Sequence, residues 1–350
     1  MSYLVLQPGM VLSHSIEDYP DGIVVPVDKP YRWTSADVIR KVKWMAVKHF
    51  GKRNLKVGHA GTLDPLATGV LLVCIGKATK LAEEFQKAPK QYLAGVTFGA
   101  TTASYDLEKE VDTRYPLDGV SEESLRGVLP GFIGEQNQVA PLFSAKSVDG
   151  VRVYELARKR YKAGLPVEEE GILQASRISI YDLQLVAFNE AAEAASPQKT
   201  PKMQATPSLE RGLPTKMAEN AGSPANEAAE ALGSRGVPPS ASLEGGAQPQ
   251  VGRDDSAAVT GSTPMPQRPG ASNRINVASV PEGLPQAEIL VDCSKGTYIR
   301  ALARDLGEAL GSSAFLHSLR RTRNGGFAVE NALSIDDITE IFKTESAKKA

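Results

Sequence analysis

The chain has 350 residues, 41% of them hydrophobic and 23% charged, which suits one large globular domain or two modest ones. A net charge of −1 excludes a uniformly basic nucleic-acid binder, so any such surface must be a local patch. No apolar run approaches the roughly 18 residues of a membrane span, and the N-terminus MSYLVLQPGM has no basic segment ahead of its short apolar run. Cys74 and Cys293 each sit in an apolar run without metal-ligand spacing, which suits a reducing, cytoplasmic setting and no metal.

Residues 1–21 contain Pro8-Gly9 and Pro20-Asp21 and read as a loose N-terminal extension. Ile23 to Val27 then suits a short buried strand that ends in a turn at Asp28-Lys29-Pro30. Thr34 or Ser35 can cap a helix whose apolar stripe is Val38, Val42, Met45, Ala46 and His49. Arg40, Lys41, Lys43 and Lys48 lie off that stripe and continue into Lys52, Arg53 and Lys56. Such a run suits either a solvated face or an RNA-facing one.

The run leads into GHAGTLDPLATGVLLVCIG, residues 58–76. Here a single carboxylate, Asp64, stands in a loop stiffened by Pro65, which biases the preceding residue toward extended backbone. Gly61 and Gly69 bracket the loop, and Val70 to Ile75 reads as a strand buried on both faces. A short helix fits Thr79 to Phe85. Lys90 to Phe98 alternates as a strand, with Tyr92, Ala94, Val96 and Phe98 on one side, and Ser121 opens a helix to Val128. Residues 151–162 form an amphipathic segment with Val151, Tyr154, Leu156 and Ala157 inward. Four of the five residues from 158 to 162 are basic around Tyr161, a pattern that fits a phosphate backbone with an exposed base or a solvated helix end.

Residues 190–284 hold 12 of the 23 prolines and no Phe, Tyr or Trp. Such a stretch cannot bury enough apolar surface to offset ordering entropy and is expected to be a disordered insertion in a loop. The strands before it, near Ile172 to Phe188, and after it, Ala287 to Cys293, are expected to be antiparallel neighbours. Thr297 can cap the helix that follows, with Ile299, Leu302, Ala303, Leu306 and Leu310 as its stripe and Gly311 as its stop. Arg320, Arg321 and Arg323 make another basic cluster, and Ser334 starts a final short helix before a tail at 341–350.

Five segments, taken in order, resemble one family, the TruB-type tRNA pseudouridine synthases. They are Val27-Asp-Lys-Pro30, the run from Gly58 to Leu71, Lys90-Gln-Tyr92, Ser294-Lys-Gly-Thr-Tyr-Ile-Arg300 and Leu319-Arg-Arg321. The resemblance covers most of residues 22–340 and implies an α+β fold with a mixed, largely antiparallel central sheet flanked by helices and loops. It implies isomerisation of uridine 55 in the TΨC arm of tRNA by a monomer, with no cofactor. Asp64 is similar to the family's catalytic aspartate, Tyr92 to the tyrosine that stacks on the target base, and Arg300 to the arginine paired with the aspartate. Asp106 corresponds to the acid that holds the arginine, and Tyr298 and Leu319 to residues lining the uracil pocket. His59 corresponds to the histidine that enters the T-loop as the target nucleotide leaves, and Lys29 to a lysine of mainly structural role. Nothing after about residue 340 resembles the small RNA-binding domain that many relatives append, so 152–162 and Arg320 to Arg323 are expected to carry more of the grip on tRNA. Two alternatives stand beside this reading: an RNA-guided type of synthase acting on another RNA, and a tRNA-binding folding aid with secondary catalysis.

Overall fold

The computed structural model describes residues 3–143, 147–148, 151–163, 174–190 and 277–343. In chain order the first half runs β1 (Leu4–Val5), β2 (Ile23–Lys29), α1 (Ser35–Phe50), β3 (Val57–Ala60), β4 (Ala67–Ile75), α2 (Ala82–Lys87), β5 (Lys90–Phe98), β6 (Ala100–Thr102), β7 (Val111–Arg114) and α3 (Glu122–Val128). The second half runs β8 (Gly134–Gln138), β9 (Ser147–Val148), β10 (Val151–Arg152), α4 (Val153–Lys162), β11 (Ser176–Asn189), β12 (Gln286–Cys293), α5 (Ile299–Ala309), β13 (Ala314–Asn324), β14 (Phe327–Ala328) and α6 (Ile335–Lys343). The main sheet has the order β1-β2-β4-β13-β5-β12-β11-β8, with β3 paired to β4 and β14 to β13. Its pairings are antiparallel except β1 with β2 and β13 with β4, so the fold is α+β with a mixed, largely antiparallel sheet.

Local chemistry accounts for the elements that position the site. In β4 every residue from Gly69 to Ile75 is buried, as an uninterrupted apolar run requires of a strand covered on both faces. α1 starts at a capping box in which the Thr34 hydroxyl accepts from the Asp37 amide and the Asp37 carboxylate accepts from the Thr34 amide. Gly51, in left-handed backbone at φ 62°, closes it. Val38, Val42, Met45, Ala46 and His49 are all buried. The His49 imidazole meets the Phe342 carbonyl of α6 at 3.1 Å, fastening the last helix to the first. Ser121 and Ser124 make a second capping box at α3.

Several sequence expectations differ from the structure. The N-terminal segment is not loose: Leu6, Leu12 and Ile16 are buried in the main core, and the amides of Leu4 and Leu6 donate to the Gly22 and Val24 carbonyls at 3.1 and 2.9 Å. Thr297 does not cap α5; its hydroxyl donates to the Ser294 carbonyl at 3.1 Å, and Tyr298 takes the N-cap position. The expected tail boundary at 341 cuts through α6, where Ile341 and Phe342 are buried. The inward set proposed for 151–162 lies largely outside the described side chains, although Val153 and Ala157 are buried.

Most of the expected insertion, residues 191–276, lies outside the described residues. Its last stretch does not. Ala278, Val280 and Leu284 are buried with Leu107 and Phe315 in a second apolar cluster, and the Ala278 amide donates to the Leu107 carbonyl at 2.9 Å. Burying a Val or Leu side chain contributes about 1.5–3 kcal/mol. A chain deleted for 190–284 is therefore expected to melt several degrees below one deleted only for 191–276. Equal melting temperatures in calorimetry would contradict that packing.

Candidate active site

The site is built across the centre of the sheet, where β13 lies between β4 and β5. Its register sets Leu319 beside Ala67 on one side and Ala94 on the other, and Arg321 beside Gly69 and Tyr92. Parallel pairing with β4 brings the loop that carries Asp64 up to the β13 edge, while antiparallel pairing with β5 brings Tyr92 up from the other side.

Arg321 is the tie between them. Only 1% exposed, it donates from Nε to the Val70 carbonyl at 2.7 Å and from a terminal nitrogen to the Gly61 carbonyl at 3.2 Å. Its charge also acts on the Tyr92 phenol, which faces it from β5. Gly69 makes this approach possible, because a Cβ there would lie 2.1 Å from the Arg321 carbonyl oxygen, and its φ of +98° is a backbone few other residues adopt. Beside it, Arg320 closes a two-point ion pair with Asp28 at 2.8 and 3.1 Å, and Asp28 also accepts from the Gly69 amide at 3.1 Å. The Asp64 loop has two further props. The Ser35 hydroxyl bridges both backbone groups of Leu63, at 2.9 and 3.1 Å. The Lys29 ammonium donates to the Pro30, Trp33 and Pro65 carbonyls at 3.0, 2.6 and 3.1 Å. Burial pushes the Lys29 amine down to about 7, with Asp64 pulling the other way.

Asp64 itself is 42% exposed at its side chain and pairs with the buried guanidinium of Arg300 at 2.9 Å. Arg300 is anchored by the Ser104 and Phe143 carbonyls at 3.0 and 2.9 Å and faces Asp106 at 3.8 Å. Asp106 accepts from the Ser104 hydroxyl at 2.6 Å and the Glu108 amide at 2.9 Å. Burial pushes its carboxyl up, against the opposing pull of Arg300 and Ser104. The result is a carboxylate presented to solvent on a guanidinium that cannot turn away.

A cavity of about 580 Å3 opens over this pair and is lined by Asp64, Tyr92, Tyr298, Arg300 and Leu319 among the residues singled out from the sequence. Burial pushes the Tyr92 phenol up, so it stays protonated at neutral pH, and Arg321 moderates the shift. Asp106 lines a recess of about 20 Å3 behind Arg300, with His317. Lys29 and His59 line neither space. Lys29 lies beneath the loop, and His59 sits on β3 opposite Val73, its imidazole pushed down by burial and by Arg321.

Sequence reasoning passed over Lys90 and Arg321 on the cavity wall. It grouped Arg320 and Arg321 with Arg323 as a surface cluster for tRNA, whereas Arg321 is internal and Arg320 is engaged by Asp28. The signal was present: on a strand, residue 321 shares the face of Leu319, two positions earlier. In the 158–162 cluster Lys159 and Tyr161 are exposed and Arg160 half-buried, while the side chains of Arg152, Arg158 and Lys162 lie outside the described residues.

Arg321→Lys keeps the charge but cannot hold the Val70 and Gly61 carbonyls together. It is expected to lower the melting temperature and to cut kcat at least about tenfold, and a variant with wild-type kcat would show the tie to be dispensable. His317 gives a pH test. Burial holds it at about 4 against 6.5 unperturbed, so the unfolded chain binds the extra proton between those values. Stability should fall as pH drops from 6.5 to 4, by up to about 3 kcal/mol, and His317→Gln should remove that component from the pH profile of chemical denaturation.

Comparison with known proteins completes the picture. The model of the TruB family pseudouridylate synthase N-terminal domain matches residues 48–199, and that of the tRNA pseudouridylate synthase B C-terminal domain matches 300–350. The described part of the second match, 300–343, runs from α5 to α6. The chain is 35% identical to tRNA pseudouridine synthase B of Phocaeicola vulgatus over 92% of its length and 94% of that protein. It is 36% identical to that of Bacteroides thetaiotaomicron with the same coverage, and 30% identical to that of Deinococcus radiodurans over 91% of this chain and 78% of the relative. Among solved structures, a crystal structure of a Cbf5-Nop10-Gar1 complex aligns at TM-score 0.48 and 19% identity, over 93% of this chain and 56% of that one. With full-length relatives at this level of identity, the chain belongs to the TruB family of tRNA pseudouridine synthases.

Proposed function

We propose that this enzyme converts uridine 55 in the TΨC loop of tRNA to pseudouridine, with Asp64 as the nucleophile acting on an extruded uridine. The observation that carries the reading is the Asp64–Arg300 pair at 2.9 Å, on the wall of a cavity shared with Tyr92, Tyr298 and Leu319. The reaction breaks the bond between the ribose C1′ and N1 of uracil, turns the base, and joins C5 to C1′. C5 loses a proton and N1 gains one, so composition and oxidation level are unchanged and no redox partner enters. A carboxylate supplies the nucleophile, and the fixed guanidinium holds it aimed. The freed base must not escape, and Tyr92, Tyr298 and Leu319 offer it aromatic and apolar walls.

A cavity of this size admits a single base, not a stacked helix, so the target nucleotide must leave its stack first at a cost of a few kcal/mol. His59 is assigned to the gap that the nucleotide leaves, where an imidazole can stack. Lys29 and Asp106 act through others, Lys29 on the loop and Asp106 on Arg300. The two free cysteines are buried, in keeping with a monomeric enzyme working in the reducing cytoplasm. Asp64→Asn keeps the shape and removes the nucleophilic charge. Pseudouridine formation in a T-arm hairpin is expected to fall at least about a thousandfold while binding of the hairpin persists; turnover within tenfold of wild type would refute the assignment.

A further inference from the structure

The longest single-sign stretch in the described protein is not at the cavity. From Val38 to Leu63 there are seven Lys and Arg residues and no Asp or Glu, in a chain whose totals, 40 basic and 41 acidic, nearly cancel. The stretch comprises most of α1 and the return through β3 to the Asp64 loop. Since the core takes the Val38, Val42, Met45 and Ala46 stripe, the charges are confined to the other side of the helix. Lys43, Lys48, Arg53 and Lys56 are exposed, and Lys41 is half-exposed.

Two ion pairs involve this stretch among the described residues, Arg40 with Asp37 and Lys52 with Glu17. Lys41 and Lys48 have a different neighbour. They flank the half-buried Trp44 ring with their ammonium groups 5.8 and 5.5 Å from its centroid, as the i+3 and i+4 spacing of 41, 44 and 48 dictates. Cation–π contact of this kind orders the ammonium groups without neutralising them, because the ring has no net charge. The outcome is an ordered cationic row on a rigid helix. Its start is fixed to the catalytic loop by the Ser35–Leu63 hydrogen bonds, and it extends about 20 Å from that point by helix geometry.

We propose that this face of α1, through Lys41 and Lys48, binds the phosphate backbone of the substrate tRNA outside the T-arm hairpin. The proposal rests on the tRNA reading above. Charge complementarity favours this occupant: the one polyanion that the reaction brings to the protein is the tRNA itself, and a row that leads away from the cavity reaches nucleotides beyond those the cavity holds. Phosphate contacts of this type add affinity and orientation without reading sequence, so they act on KM and not on the chemical step.

The test compares the full chain with the double variant Lys41→Gln, Lys48→Gln on two substrates, intact tRNA and the isolated T-arm hairpin, across a salt series. For intact tRNA, KM should rise about tenfold with kcat unchanged, and the slope of log KM against log salt should fall by about two, one for each lost contact. On the hairpin both constants should match wild type. The double variant Lys41→Arg, Lys48→Arg should bind intact tRNA as the unaltered protein does. An unchanged KM on both substrates, or an equal loss on both, would overturn the proposal; the second result would put the contact on the hairpin. If wild-type protein forms no pseudouridine in the hairpin, the underlying tRNA reading fails instead, and the two failures are distinguishable.

Discussion

Everything in the site depends on one internal guanidinium. Arg321 is an arginine in the middle of a sheet, a costly place for a charge unless its donors are met. Two of them are met by backbone carbonyls of the loop and strand that present Asp64, and the guanidinium also acts on the Tyr92 phenol from the opposite strand. The desolvation cost of that group is thereby converted into position: the guanidinium can be satisfied only when β4, β13 and β5 stand in the observed register. A one-residue slip would turn Arg321 to the other face and leave the guanidinium and two carbonyl acceptors without partners.

The same logic recurs outward from it. Asp28 and Arg320 close the outer side of the β4–β13 seam, Lys29 gathers three carbonyls beneath the loop, and Asp106 and Arg300 form the base on which Asp64 rests. Each of these buried charges is matched by charge or by carbonyl dipoles, and Asp64, the carboxylate proposed to react, is the most exposed member of its own chain of contacts. Preorganisation of this kind places the electrostatic cost in folding and spares the chemical step. The exposed charge of α1 is the counterpart, since it is ordered by an aromatic ring yet left available to solvent.

Much of this was legible in the sequence, for identifiable reasons. The unbroken run before Gly76 made β4, the alternation from Lys90 to Phe98 made β5 with the same bounds, and Thr34 with Asp37 announced the start of α1. Asp64 was legible because Pro65 and the glycines frame it. What was not legible concerns pairing partners distant in sequence. Leu6 and Leu12 are scattered among turn residues, and only the groove beside β2 makes them core. Ala278, Val280 and Leu284 end a proline-rich stretch, and their burial depends on Leu107 and Phe315. Arg320 and Arg321 look like a surface cluster because adjacent arginines usually are one; their fates diverge when the strand turns one toward Asp28 and the other toward Val70.

The parallel seam between β4 and β13 has a temporal consequence. Its partners, Gly69 and Arg321, are about 250 residues apart, and the stretch 191–276 lies between them in the chain. During synthesis the Asp64 loop emerges early, but the guanidinium that fixes it is nearly the last part of the sheet to be made. Long-range pairing of this sort is slow to form, because loop closure precedes any compensating contact. A ribosome-bound fragment that ends before β13 therefore has the carboxylate without the Arg321 tie. Strand β13, made after nearly all of the sheet, is thus a late lock on a loop made early.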